Sequence, residues 1–313
     1  MNIINKKTDL FLINFPIIFP LIYGVLLYSF PKIETLIILF TILILAEPHF
    51  GATWPFFLQK QNKTYIKENR EFFIILPIVV VIYCLVGFLF FRNFFLLTFF
   101  AANIFHVTRQ SIGISKLYSE NQSNFKFQEL LIYLFNFLFF IIGYLRFYLN
   151  LDFVDFYILE LNIIVLSLIF LMNVIHYFRY KNFRDSLTFF TGMIIFYPIC
   201  FVDNPVHSIL MGVTMHYSQY LVLTYKIVNV RDKVDNISTN NIINFKFLKI
   251  VLIYSLIMTA LSYMAKVNIV WLTYLLIIPI TGQMLHFYLD SQLWKFSKSH
   301  NRENVLKPLK SDI

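Results

Sequence analysis

Four histidines lie inside apolar stretches of this sequence, where ionisable side chains are rare. His49, His106, His216 and His286 stand in LAEPHFGATW, NIFHVTRQS, VTMHYSQYLV and GQMLHFYLD. Each comes 9 to 11 residues before the first lysine that follows it. An imidazole surrounded by hydrocarbon needs a polar partner. The equal spacing therefore predicts that the four side chains share one buried metal site; the alternative is four unrelated core histidines, each bonded to a neighbouring helix.

Polar residues near these histidines are candidates for holding them in place. Glu47 is a further ligand, an acceptor for an imidazole N–H, or a protonated glutamate at a proline kink. Gln110 follows His106 by four residues, on the same helical face, and could bind the second ring nitrogen. Asp290 follows His286 by one turn, which fits a carboxylate–histidine–metal arrangement but also a charge at a helix end.

The donor set narrows the choice of metal. Neutral imidazoles suit iron, zinc and copper, and neither Cys84 nor Cys200 lies near these histidines in the sequence. A mostly-histidine site with open positions, facing O2 and a lipid-soluble substrate, favours Fe(II). Haem is the alternative, since two of the histidines could be its axial ligands. Tyr217 and Tyr220 are candidate catalytic residues that would donate a hydrogen bond near oxygen or offer a cation–π surface.

The composition predicts an integral membrane protein. Of the 313 residues 58% are hydrophobic and 14% are charged, whereas soluble domains average about 25% charged residues. A net charge of +9 would suggest nucleic acid as a partner in a soluble protein. Here it is better explained by lysines and arginines in cytoplasmic loops.

Hydrophobic stretches predict an all-α bundle of about ten spans, because a helix needs ~20 apolar residues to cross a bilayer. They run roughly over 10–30, 33–58, 72–91, 93–115, 129–149, 154–178, 186–203, 206–227, 245–265 and 268–294. Short connections between several of them leave eight or nine spans as alternatives. The chain is predicted to be a single membrane domain over 1–313, with a basic cytoplasmic tail at 298–313.

The distribution of lysines and arginines predicts the orientation of the chain in the membrane. Of 26 lysines and arginines, only Lys32, Arg92, Arg146 and Lys266 fall on the side predicted to be outside. By the positive-inside rule both termini are cytoplasmic, in a multi-pass protein of the cell's inner membrane. All four histidine-bearing spans then run from outside to inside, with each histidine ~15 Å from the cytoplasmic edge.

The segments PHFGAT, FHVTRQ, MHYSQY and LHFYLDSQLWKF resemble, in order and spacing, the bacterial Brp/Blh-type beta-carotene 15,15'-dioxygenases. The resemblance implies a membrane enzyme that uses Fe(II) and O2 to cleave beta-carotene, and retinal that would be available to a rhodopsin. It implies that His49, His106 and His216 are iron ligands and that His286 matches the family's C-terminal Pro-His histidine. Tyr220 stands where that family has the second histidine of His-x-x-x-His, a ligand that His286 could replace.

Two other functions remain open from the sequence. A transporter or channel could use the histidine layer to bind a proton or metal ion in transit. A b-haem electron-transfer protein could use two of the histidines as axial ligands. The lack of HxxxH and HxxHH motifs argues strongly against a membrane desaturase or hydroxylase with two irons.

Overall fold

The computed structural model describes residues 3–119, 125–234, 244–265 and 269–310. Within these ranges every regular element is helical and no strand occurs, which confirms the predicted all-α class. In the described residues nine helices have twelve residues or more: Ile18–Ser29 (α1), Leu76–Phe90 (α2), Arg92–Tyr118 (α3), Phe125–Gly143 (α4), Ile158–Tyr180 (α5), Phe183–Ile194 (α6), Pro205–Val234 (α7), Phe245–Met264 (α8) and Ile277–Leu293 (α9). The predicted outer charge Lys266 lies outside the described residues.

Shorter helical pieces connect the long helices. They are Lys6–Asp9, Leu10–Asn14, Pro31–Ile33, Glu34–Thr41, Ile42–Ala46, Glu47–Gly51, Thr53–Phe57, Lys60–Glu68, Glu71–Ile75, Tyr144–Tyr148, Asp152–Phe156, Tyr197–Cys200, Val270–Leu276, Ser299–Asn301, Arg302–Leu306 and Lys307–Lys310. Several are single π-helical turns, such as Ile42–Ala46 before Pro48. An extra residue in a turn relieves the clash between a proline ring and the preceding carbonyl, so a long helix bends there without ending.

The number of spans differs from the predicted ten. Six helices in the described residues are long and apolar enough to cross a membrane: Pro31–Phe57, Glu71–Phe90, Phe125–Tyr148, Ile158–Tyr180, Phe245–Met264 and Trp271–Leu293. The pair Lys6–Asn14 and Ile18–Ser29, bent by 55°, makes a seventh if it is one span. The predicted span 186–203 is wrong because α6 has only 12 residues, roughly 18 Å, against a core of about 30 Å. Helices α3 and α7 are long enough to cross a membrane, but their polar residues make them less apolar than the six candidate spans.

The chain divides into two compact units. Unit 1 contains Asn5–Ile38 and Ile104–Gln219, and unit 2 contains Asn2–Ile4, Leu39–Asn103 and Tyr220–Ile313. Each unit has its own apolar interior. The described part of each is held together by buried polar contacts as well as by packing.

In unit 1 a helix break is stabilised by side chains from other helices. The chain bends between Asn14 and Ile18, which leaves carbonyl groups without helical partners. Ser218 donates to the carbonyl of Leu12, Gln219 to that of Ile13, and Thr191 to that of Asn14. Gly212 lies where an added Cβ would come within 1.9 Å of the Ile195 carbonyl oxygen. Helix α7 therefore packs directly on the backbone that follows α6.

In unit 2 helix α8 packs closely on two glycines. A Cβ added at Gly51 would lie 2.9 Å from a ring carbon of Tyr254, and one at Gly282 would lie 2.7 Å from the Tyr254 hydroxyl. Only glycine leaves room for this tyrosine on both sides. A second contact joins α2 to α9 through a core that includes Cys84, Phe88 and Ile280.

The C-terminal segment of unit 2 is bound through His300. The imidazole stacks on Tyr65, with ring centroids 4.0 Å apart and an interplanar angle of 8°. Its Nε2 is 3.1 Å from Asn62 Oδ1, so Nε2 carries the proton and donates it. Its Nδ1 accepts from Asn304, at 3.3 Å. The carbonyl of Asn304 in turn accepts from Arg231 at 2.5 Å. The neutral imidazole thus uses both ring nitrogens in this contact.

Acidification is expected to loosen this segment. Burial lowers the pKa of His300, Arg231 lowers it further, and Glu68 opposes them. The pKa of His300 is therefore lower in the folded protein than in the unfolded chain, where a histidine has a pKa near 6.5. Such a group stabilises the fold at pH values above 6.5, and this contribution is lost as the pH falls below 6.5. The protection factors of residues 299–310, which are exchange rates corrected for their intrinsic dependence on pH, should therefore be lower at pH 5.5 than at pH 8. In His300→Phe, which keeps a stacking ring, the local pH dependence should be absent; an unchanged dependence would contradict this role of His300.

Candidate metal centre

Two histidines from distant parts of the chain meet in the interior of unit 2. His49 lies on the short helix Glu47–Gly51 and His286 on α9. Both are buried, with 0% and 1% of their surface exposed. Their Nε2 atoms are 2.8 Å apart. The π turn Ile42–Ala46 and Pro48 come directly before His49, and both features are common causes of bends in helices.

A chain of hydroxyl groups starts at the other nitrogen of His286. Thr53 Oγ1 lies 2.6 Å from His286 Nδ1 and 3.0 Å from the hydroxyl of Tyr220. Tyr220 donates to Asp290 Oδ1 at 2.8 Å. Since an ionised carboxylate only accepts, each hydroxyl donates towards Asp290, and Thr53 must accept from Nδ1–H of His286. The Nε2 atom of His286 is then left with its lone pair directed at His49.

Aromatic rings surround the His49–His286 pair, and a buried carboxyl group, that of Glu47, lies two residues before His49 in the chain. The ring centroid of Phe50 lies 4.9 Å from the ring centroid of His49 and 5.1 Å from that of His286. The ring of Tyr220 lies 4.5 Å from His49. Glu47 is 1% exposed and its carboxyl group is hydrogen-bonded by Gln283. The rings exclude water from the pair, so electrostatic interactions inside are strong.

The other two predicted ligands meet in unit 1. His106 on α3 and His216 on α7 are 7% and 0% exposed. Their ring centroids are 5.9 Å apart, and the rings are nearly perpendicular at 85°. Tyr217 is buried beside them, 6.3 Å from His216 between ring centroids. Gln110, predicted to hold His106, is half-buried.

Each unit contains some of the predicted site residues. Unit 2 brings together His49, His286, Tyr220 and Asp290 around one point, with Glu47 on the helix that carries His49. The prediction that His106 and His216 share a metal with them stays a prediction. Sequence reasoning missed Thr53, although it stands four residues after His49 and thus on the same side of a helix.

Comparisons with protein-family models, with curated protein sequences and with solved structures gave no match.

The residues of unit 2 fit a metal ion by their own chemistry. Two imidazole nitrogens 2.8 Å apart can ligate the same ion, since metal–imidazole bonds are about 2.0–2.1 Å long. A ligating histidine usually donates its second N–H to an oxygen acceptor, which fixes the ring and its tautomer. Thr53 is such an acceptor for His286. Asp290 Oδ2 lies 3.7 Å from His286 Nε2, which adds a negative charge beside the pair.

Proposed function

We propose that this protein is a membrane-bound non-haem iron oxygenase that cleaves a lipid-soluble polyene, with beta-carotene as substrate and retinal as product. The observation that carries the proposal is the buried pair His49 and His286, whose Nε2 atoms are 2.8 Å apart. The resemblance of PHFGAT, FHVTRQ, MHYSQY and LHFYLDSQLWKF to the Brp/Blh-type enzymes supports the substrate. The proposed location is the cell's inner membrane, with both termini in the cytoplasm.

In this proposal His49 and His286 hold Fe(II). Bound iron supplies the activation of O2 that oxidative cleavage of a carbon–carbon double bond requires. Thr53 keeps the proton of His286 on Nδ1, so Nε2 stays available as a ligand. Tyr220 and Asp290 hold Thr53 in the orientation that does this.

The aromatic surroundings suit an apolar substrate. An open apolar groove of about 510 Å³ in unit 2 is lined by residues that include Val79, Val86 and Phe95. Phe99 packs against the same cluster as Phe95 and stacks on Phe287, with ring centroids 6.1 Å apart. Phe287 directly follows His286. A polyene would approach the metal from the lipid along this row of rings.

The spacing of the pair argues against the haem alternative. Two axial ligands lie on opposite faces of a haem, so their nitrogens are about 4 Å apart, twice a metal–nitrogen bond. His49 and His286 are closer than that, at 2.8 Å. They fit neighbouring positions on one ion better than opposite ones.

Expression in a bacterial host that makes beta-carotene tests the proposed reaction. The wild-type chain is expected to bleach the cells and to accumulate retinal, measured by extraction and chromatography. The variant His286→Ala, shown to be in the membrane at the same level, should leave the pigment unchanged. Full colour and no retinal with the wild-type chain would contradict the substrate assignment.

A further inference from the structure

A cationic cavity lies in unit 1, and none of its lining residues belongs to the proposed metal site. It is open, has a volume of about 510 Å³, and is lined by three cations and three aromatic side chains: Lys6, Lys181 and Arg184, with Tyr118, Tyr180 and Phe183. Among the described residues no carboxylate lines it. We propose that this cavity binds the phosphate group of an anionic phospholipid.

The charges around the cavity favour an anion. Lys6 and Lys181 are exposed and Arg184 is half-buried, so at least two cations are in contact with solvent. Two acids lie near these cations, and both are buried: Asp9, which accepts a hydrogen bond from Tyr118 at 3.0 Å, and Asp185, which directly follows Arg184. A phosphate group would meet positive charge from two separate parts of the chain, Lys6 and the segment 181–184.

The backbone holds these groups at the end of a candidate span. Helix α5, a 23-residue candidate span, ends at Tyr180, and Lys181 follows with a left-handed backbone (φ 53°). Asn182 then caps α6, its side chain accepting from the backbone N–H of Asp185 at 3.1 Å. A sharp reversal thus places Lys181 beside the first turn of α6, whose free N–H groups also favour an anion. Residues that directly follow a spanning helix lie at the level of the lipid headgroups.

The apolar surroundings favour a lipid over free phosphate. Phe183 in the cavity wall is 59% exposed, and Phe178 on the last turn of α5 is 70% exposed. These rings would contact acyl chains while the cations contact the headgroup. Basic pockets between helices at a membrane surface bind anionic headgroups in this way.

Native mass spectrometry of the full-length protein, with phosphatidylglycerol and phosphatidylcholine added separately, tests this site. The wild-type protein is expected to retain phosphatidylglycerol about tenfold more tightly than phosphatidylcholine. Each cation removed should weaken that binding about fivefold, the factor for one charge near a membrane surface. The test variants are Lys6→Gln and Lys181→Asn; asparagine tolerates the left-handed conformation. The control is Lys246→Gln, an exposed lysine at the start of another candidate span.

Three results would overturn the proposal. Equal retention of the two lipids would remove the preference for an anionic headgroup. An equal loss in Lys246→Gln would mean general surface charge rather than this cavity. Inorganic phosphate that binds with the same dependence on Lys6 and Lys181, and displaces phosphatidylglycerol at millimolar concentration, would identify a soluble anion as the ligand instead.

Discussion

Replacing His286 or His49 with alanine is expected to abolish iron binding and oxygenase activity while the protein still inserts into the membrane. Each change removes one of two buried nitrogens that lie 2.8 Å apart. A single remaining imidazole at that point cannot hold the ion in competition with chelators. Iron per chain after purification, measured by mass spectrometry of the metal, gives the direct readout, and retinal formation gives the second.

A matched control is available in unit 1. His207 is also buried, and its Nδ1 lies 2.5 Å from the hydroxyl of Tyr23. Its replacement by alanine removes a buried imidazole from a different place. His207→Ala should retain iron if it folds. Normal iron content in His286→Ala or His49→Ala would show that the pair does not ligate the metal, whatever the activity.

Replacing Thr53 with valine is expected to weaken iron binding by about 10- to 100-fold, the usual effect of losing a residue that orients a ligand. Valine has nearly the same shape but cannot accept from Nδ1–H of His286. The imidazole then loses its preferred tautomer, and part of its population carries the proton on Nε2. Competition with a coloured chelator would measure the affinity.

Two further variants separate this effect from general damage. Thr53→Ser keeps the hydroxyl group and should restore most of the affinity. Tyr220→Phe breaks the link from Thr53 to Asp290 and should weaken binding less than Thr53→Val, because Thr53 still accepts from His286. Wild-type affinity in Thr53→Val, with the protein correctly inserted, would rule out the orienting role.

The sequence predicted the helices that face lipid on most of their surface. Glu71–Phe90 and Ile158–Tyr180 are nearly continuous apolar runs, since lipid contact requires apolar residues on every side. The prediction of membrane spans from the sequence failed for helices that are enclosed by other parts of the protein. Helix α7 is almost entirely buried over its central residues and carries serines and glutamine among apolar residues. The prediction of a span at 206–227 gave too little weight to these polar residues, which leave α7 outside the six candidate spans.

The site was predictable in its residue types but not in its pairing. Imidazoles in apolar sequence marked His49 and His286 because such groups are costly without partners. Their contact joins residues 237 positions apart, which depends on how α9 packs near the bent helix of His49. Nothing in the sequence marked Thr53 as part of the site, since the hydroxyl group of a helical threonine usually hydrogen-bonds to a backbone carbonyl of the same helix. Only the fold shows that its hydroxyl group lies between His286 and Tyr220.

The metal content and absorption spectrum of the purified wild-type protein test the central claim most directly. We expect about one iron per chain, bound without a haem Soret band and lost together with His49 or His286. A strong Soret band, or full activity on beta-carotene in protein stripped of iron, would contradict the assignment of a histidine-ligated non-haem iron centre.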